Sequence, residues 1–273
     1  MLERAVLPRK RPINQGRVGS RRLPILRSED VNYVSHKANV METSVRQTYS
    51  ALTPEQLLGP LNDVERKFAP LKLFTAGPME IPLPRPRAAI VGSRKASARS
   101  LDVAAGIVRT LSKRGVVIVS GLAEGIDTTA HRATIEESGR TIAVLGTSLN
   151  RVYPRMNSQL QKEIMTNHLA ISQFPIGYPT QPRNFVIRNR TMALISNASI
   201  IVEARERSGS LHQGWEALRL GRPLFIWESI VSDSSLSWPK QMMRYGALEL
   251  NDPEQVVDVL PSSERISKIV LKI

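Results

Sequence analysis

Six short apolar runs, AAIVG, VVIVSG, TIAVLG, LAISQ, SIIVEA and PLFIW, punctuate the chain between Ala88 and Trp227, each separated from the next by a stretch with helical spacing. Runs this short suit strands, and their lack of polar alternation suits strands buried on both faces. Strands that alternate with helices of this length build βαβ units and a parallel sheet. The predicted fold is therefore α/β, a doubly wound, mostly parallel, Rossmann-like sheet spanning residues 88–262.

The intervening stretches carry the expected helix grammar. In SLDVAAGIVRTLSKRG, Leu101, Ala104, Val108 and Leu111 share one stripe, and Gly115 supplies a stop. Further helices are expected through Ile126, Ala130 and Ala133, around Leu160 and Ile164, over Arg190 to Ile195, and on Leu211, Trp215 and Leu218. Residues 1–50 read as a basic, flexible arm. Residues 51–87 read as a helical and extended lead-in, with Thr53 as N-cap, Pro54 in the first turn, and Pro82, Pro84 and Pro86 extending the chain. SDSSLS after Ile230 reads as a loop, and residues 263–273 form a tail.

Ligands of an open parallel sheet bind beyond the carboxyl ends of its strands. There the sequence gathers anion-friendly groups. SGLAEGID places Ser120, Gly121 and Gly125 at a strand-to-helix corner, where free amides and the helix dipole suit a phosphate. Ser93 and Arg94, with Lys95, follow the first strand; Asn150, Arg151 and Tyr153 follow the third. QPRNFVIRNR adds Arg183, Asn184, Phe185, Arg188, Asn189 and Arg190, and Ser208, Gly209 and Ser210 open a further helix. Guanidinium forks grip phosphate, while Tyr153 and Phe185 can stack on a base. Neither GxGxxG nor a GK[ST] loop is present, so a dinucleotide fingerprint and a nucleoside triphosphatase loop are unsupported.

Charge points the same way. A formal net charge of +14 attracts polyanions, with nucleic acid ahead of a membrane surface because no basic amphipathic helix stands out. In the arm, Arg9, Lys10, Arg11, Arg21 and Arg22 can add phosphate contacts. The absence of cysteine excludes disulfides and thiolate metal sites and agrees with a cytoplasmic setting. No apolar run approaches the roughly 18 residues of a membrane helix. His36, His131, His168 and His212 lack metal-ligand spacing, and no metal or cofactor is expected.

The segments IVGSR, SGLAEGIDTTAH, TIAVLGTSLNRVYP, NFVIRNR and VEARERSGSL, in this order, resemble the DprA/Smf family of DNA-processing proteins. The resemblance runs from about Ala88 to Val257. It implies a Rossmann-like core that binds single-stranded DNA in a basic pocket, forms a homodimer, helps to load a RecA-type recombinase, and is not an enzyme. Carried over motif by motif, it assigns DNA contacts to Arg94, Ser120, Gly121, Gly125, Arg151, Arg188 and Arg190. Two departures stand out. About 16 residues follow Val257, where many members carry a winged helix, and FIWES replaces the family's usual proline-glycine. A member without that C-terminal domain is the expectation.

An alternative reading is a nucleotide-processing enzyme or a nucleotide sensor, for example in bacterial defence. Glu216 stands eight residues after Ser208, the offset of the glutamate in the PGGxGTxxE motif of LOG-type phosphoribohydrolases. It could serve there as acid or base. Only Gly209 and Glu216 fit that motif; Ser208, Ser210, His212 and Gln213 do not. Asp127 and His131 share a helix face, the first read as steadying the helix start and the second as a packing histidine. Trp215 reads as core or as a dimer surface.

Overall fold

The computed structural model describes residues 49–261. The expected arm up to residue 48 and the expected tail from 263 lie outside the described residues. The chain enters through β1 (Ser50–Leu52), α1 (Pro54–Leu58), α2 (Asp63–Phe68) and β2 (Leu73–Ala76). Alternating units follow: β3 (Arg87–Gly92), α3 (Ala98–Lys113), β4 (Val117–Ser120), α4 (Ile126–Glu136), β5 (Thr141–Leu145), α5 (Ser158–Asn167), β6 (Leu169–Ser172), α6 (Pro182–Ile195), β7 (Ala198–Glu203), α7 (Ser210–Arg219) and β8 (Leu224–Trp227). It closes through α8 (Glu228–Val231), α9 (Trp238–Arg244), β9 (Leu248–Leu250) and α10 (Glu254–Val259).

The strands form one sheet in the order β1-β2-β6-β5-β4-β3-β7-β8-β9. From β6 to β9 every pairing is parallel, whereas β1 and β2 join antiparallel at one edge. This is the doubly wound, Rossmann-like α/β sheet that the alternation predicts. Side chains of β3 divide by parity between two cores. Ala89 and Val91 pack with Val119, Val144 and the α6 residues Met192 to Ile195; Ala88 and Ile90 pack with Ile107, Val108 and Leu111 of α3 and with Ile126 and Ala130 of α4. Burying each of the larger aliphatic side chains contributes about 1.5–3 kcal/mol before entropy is counted.

Local signals behave as their chemistry dictates. The Thr53 hydroxyl accepts from the Gln56 amide while the Gln56 side chain accepts from the Thr53 amide, a reciprocal cap for α1. Gly59 ends that helix with a φ of 83°. Two expectations need correction. The segment 51–87 is more than a lead-in, because β1 and β2 widen the sheet, with Phe74 opposite Ser172. Strands of three and four residues are too short to leave a period in sequence. The helix expected over Arg190 to Ile195 begins eight residues earlier, at Pro182, whose fixed φ suits a first turn.

Candidate functional site

Strand β3 is where the chain order reverses: β4, β5 and β6 build outward on one side, β7 and β8 on the other. The segments leaving β3 and β7 therefore diverge and open a crevice at the carboxyl edge of the sheet. That crevice is a pocket of about 640 Å³. The β3–α3 turn supplies Ser93, Arg94 and Lys95, the β7–α7 turn supplies Arg205, Ser208, Gly209 and Ser210, and α6 supplies Phe185, Arg188 and Asn189. Tyr153 reaches in from the loop after β5, and Asp127 from the first turn of α4.

Arg188 forms the floor. Its residue exposure is 4%, and its guanidinium is tethered on two of three nitrogens: Nε donates to Asn189 Oδ1 at 2.9 Å, and Nη1 donates to the carbonyls of Val144, at 2.9 Å, and Gly121. Nη2 has no protein acceptor among the described residues. Asn189 Nδ2 in turn donates to the Gly209 carbonyl at 2.9 Å, tying α6 to the entry of α7. Burial lowers the pKa of Arg188, and the Asp127 carboxyl opposes that shift. Burial also raises the pKa of Asp127, against the pull of Arg188, the Ala123 amide, the Ser120 hydroxyl and Arg94.

The wall beside Arg188 is aromatic. Tyr153 and Phe185 have ring centroids 5.0 Å apart at 46°, and the Arg94 guanidinium carbon lies 5.7 Å from the Phe185 centroid. Tyr153 is 48% exposed, so its ring remains available for stacking. A small recess of about 30 Å³ continues past Gly121 and Gly146.

Basic side chains at this rim are free of carboxylate partners. Among the described residues, the ion pairs engage Arg66, Arg109, Arg114, Arg140, Arg219 and Arg222, all away from the pocket. Arg94, Lys95 and Arg205 at the pocket, and the exposed Arg151 and Arg183 flanking it, pair with none. A basic rim without carboxylate partners among the described residues, above a buried guanidinium whose Nη2 has no acceptor among them, is suited to receive an anion.

The pocket gathers Ser93, Arg94, Tyr153, Phe185, Arg188, Ser208, Gly209 and Ser210 from the sequence-derived set. Others play different parts. Ser120 is fully buried and its hydroxyl donates to the Ile90 carbonyl at 2.7 Å, so it has no surface to offer a ligand. Gly121 is buried, and a Cβ there would collide with the Arg188 guanidinium, which occupies that space. Gly125, at φ +73°, lets the start of α4 press against the β3–α3 turn; a Cβ would lie 2.7 Å from the Arg94 carbonyl oxygen. Asn184 is buried and donates to Pro179, Asn150 accepts from Ser148, and neither Arg151 nor the half-buried Arg190 lines the pocket.

At the corner expected to present free amides, two of them are engaged internally. The Ala123 amide donates to Asp127 Oδ2 at 3.3 Å, and the Ile126 amide to the Ser93 carbonyl at 3.3 Å. The pocket's formal positive charge comes from Arg94, Lys95, Arg188 and Arg205. Arg205 lines the pocket and was not singled out by motif; its place two residues beyond the end of β7 is the signal that finds it. His131 is fully buried against Thr141, Nδ1 to Oγ1 2.7 Å, and burial, with His168 and Arg188 nearby, holds its pKa down at about 3. It is a neutral core histidine, as its helix face suggested. Glu216 does not line the pocket; it lies buried against Arg219, whose Nε donates to it at 2.9 Å. Trp215 is 36% exposed and meets Tyr245 edge-on at 5.4 Å.

Comparisons agree with this architecture. A DprA structure from Streptococcus pneumoniae superposes with a TM-score of 0.67 at 30% identity, covering 79% of this chain and 76% of that one. A Helicobacter pylori DprA structure, described in terms of its single-stranded DNA binding mode, gives 0.63 at 26% identity, covering 78% and 95%. The DNA processing protein DprA of Bacillus subtilis is 33% identical over 70% of this chain and 65% of its own length. Protein Smf of Escherichia coli is 36% identical over 63% of this chain but 46% of its own length. The chain thus spans less than two thirds of these curated relatives. No helix among the described residues is long and apolar enough to cross a membrane. The profile of the family described as DNA recombination-mediator protein A matches residues 48–261, and the chain belongs to that family.

Proposed function

We propose that this protein binds single-stranded DNA by its backbone, with phosphate held in the crevice between β3 and β7. The observation that carries the reading is the unpaired basic rim above Arg188, whose Nη2 lacks an acceptor among the described residues. The neighbouring Tyr153–Phe185 pair favours a single strand, because only unpaired bases present a face to stack upon. The Helicobacter pylori relative, described as binding single-stranded DNA, supports the same ligand. Backbone contacts carry no sequence information, so binding is expected to tolerate sequence.

Arg94→Ala tests this. Oligonucleotide affinity is expected to fall about tenfold, and the salt dependence to flatten by about 0.7 in slope, the share of one phosphate on a single strand. A titration at two salt concentrations reads both; unchanged affinity and slope would contradict the assignment.

The protein is proposed to act by binding, without turnover, since Glu216 is engaged by Arg219 outside the pocket lining. Chromatography of nucleoside monophosphates and NAD after incubation is expected to find no released base. Release abolished by Glu216→Gln would reverse that reading. Homodimer formation, with the exposed Trp215–Tyr245 pair as a candidate face, delivery of the strand to a RecA-type recombinase, and a cytoplasmic setting belong to the same proposal.

A further inference from the structure

We propose that Glu203 is a positioning residue for the crevice: its carboxylate anchors the far end of the turn that carries Arg94 and Lys95, so that deleting this negative charge weakens the binding of a polyanion. This rests on the backbone-binding reading of the same crevice.

Glu203 is half-buried at the end of β7 and does not line the pocket. A register shift between Val91 and Gly92 sets Glu203, rather than Val202, opposite Gly92, beside the β3–α3 turn. There its Oε2 accepts from both the amide and the hydroxyl of Ser97, each at 3.0 Å. The Ser97 hydroxyl in turn accepts from the Ser100 amide at 3.2 Å and caps α3. Glu203 forms no ion pair among the described residues. Burial pushes its pKa up, but the Ser97 amide and the hydroxyls of Ser100, Ser97 and Ser93 together hold it below the usual carboxylate range. The group facing Ser97 is therefore a carboxylate at neutral pH.

Little else holds this turn. Arg94, Lys95, Ser97, Ala98 and Arg99 are exposed, and the buried residues of α3 begin only at Ala104. The near end is fixed: the Ser93 carbonyl accepts from the Ile126 amide, and the backbone of Ser93 and Arg94 lies against Gly125. Further along, Ala96 packs part-buried on the core, and Glu203 supplies the hydrogen bonds that tie Ser97 to another element. Arg94 and Lys95, which line the crevice, thus lie between two anchors.

The sign of the effect separates positioning from simple electrostatics. Coulomb attraction alone makes a phosphate bind more tightly once a nearby carboxylate is gone. Positioning gives the opposite sign, because a loosened turn has to be ordered again when the strand binds.

Oligothymidylate titrations on variants shown by melting curves to be folded test this. Glu203→Ala is expected to weaken binding about fivefold. Glu203→Gln loses the charge but keeps an acceptor for Ser97, and is expected to bind within about twofold of the wild type or more tightly. When Arg94 and Lys95 are already alanine, Glu203→Ala is expected to cost no affinity, since neither side chain remains to be positioned. Unchanged or tighter binding by Glu203→Ala in the otherwise wild-type chain would overturn the proposal. So would a Glu203→Gln protein as weak as Glu203→Ala, or a loss that persists without Arg94 and Lys95. Should Glu203→Ala not fold, Ser97→Ala replaces it: this variant breaks the hydroxyl contact, leaves the charge in place, and is expected to weaken binding about threefold. Full affinity there would overturn the proposal equally. Each of these results leaves the DNA reading standing while Arg94→Ala weakens binding; failure of the wild-type protein to bind the oligonucleotide would remove the two together.

Discussion

Replacing Arg188 with methionine is expected to weaken oligonucleotide binding about a hundredfold, near 2.8 kcal/mol, the largest binding loss of any single substitution in the pocket. The size follows from burial. Arg188 is held 4% exposed, with Nε and Nη1 already committed to Asn189, Gly121 and Val144, so Nη2 meets a phosphate without first being ordered. An exposed arginine such as Arg94 must give up side-chain freedom, and salt screens it. Methionine fills much of the volume but leaves the Gly121 and Val144 carbonyls without that donor, so some stability is lost as well. Arg188→Lys separates the two effects. It keeps the charge and loses the fork, and an intermediate loss of about tenfold is expected in protein shown by its melting curve to be folded. Full affinity in folded Arg188→Met would place the ligand elsewhere.

The largest stability effect is expected at the opposite edge of the sheet, from Arg87→Met. Arg87 is 1% exposed; its Nε donates to the Ile195 carbonyl at 2.6 Å, and its Nη1 to Leu83 at 2.9 Å and Pro84 at 3.0 Å. It thereby satisfies the last carbonyl of α6 and pins the proline-rich entry to β3. Burial, reinforced by Arg85 and Arg222 and opposed by Glu65, brings its guanidinium down to about 9, still protonated at neutral pH. Removing it strands several buried carbonyls, at about 1–3 kcal/mol each, and a total loss of about 3 kcal/mol or more is expected by urea denaturation. Arg114→Ala, which breaks an exposed pair with Glu254 at 3.0 Å, is the control and should cost under about 1 kcal/mol. Because Arg87 is at the amino end of β3, oligonucleotide affinity of folded Arg87→Met should be unchanged. Loss of affinity in that variant, or a stability change no larger than the control's, would contradict these roles.

What the sequence makes legible is set by how local each feature is. The strands of the parallel core are readable because burial on both faces forces continuous apolar runs such as AAIVG and SIIVEA. Capping at Thr53 is readable because the cap is written within four residues. Strand order is not local, so the crevice between β3 and β7 emerges only once β4 and β7 are seen flanking β3. Nor can β1 and β2 be read, since their partners are β2 and β6 rather than anything in their own few residues.

The site divides along the same line. Residues just past a strand end, Ser93, Arg94, Ser208 and Ser210, reach the pocket because strand ends dictate where they go. Ser120 looks alike in sequence, but the last residue of β4 points inward and bonds Ile90. Arg188 carries the same letter as Arg183 and Arg190, and only the packing of α6 shows that one is floor and the others are not. The role of Asp127 as pocket wall was hidden for that reason too: a helix-start aspartate is ordinarily explained by the helix alone.

A structure of the protein with a short oligothymidylate tests the central claim most directly. The expected result is a backbone phosphate in the crevice between β3 and β7, within hydrogen-bond distance of Arg188 Nη2, with a neighbouring base against Tyr153 or Phe185. A strand bound on another face, with that crevice empty and Arg188 untouched, would contradict it.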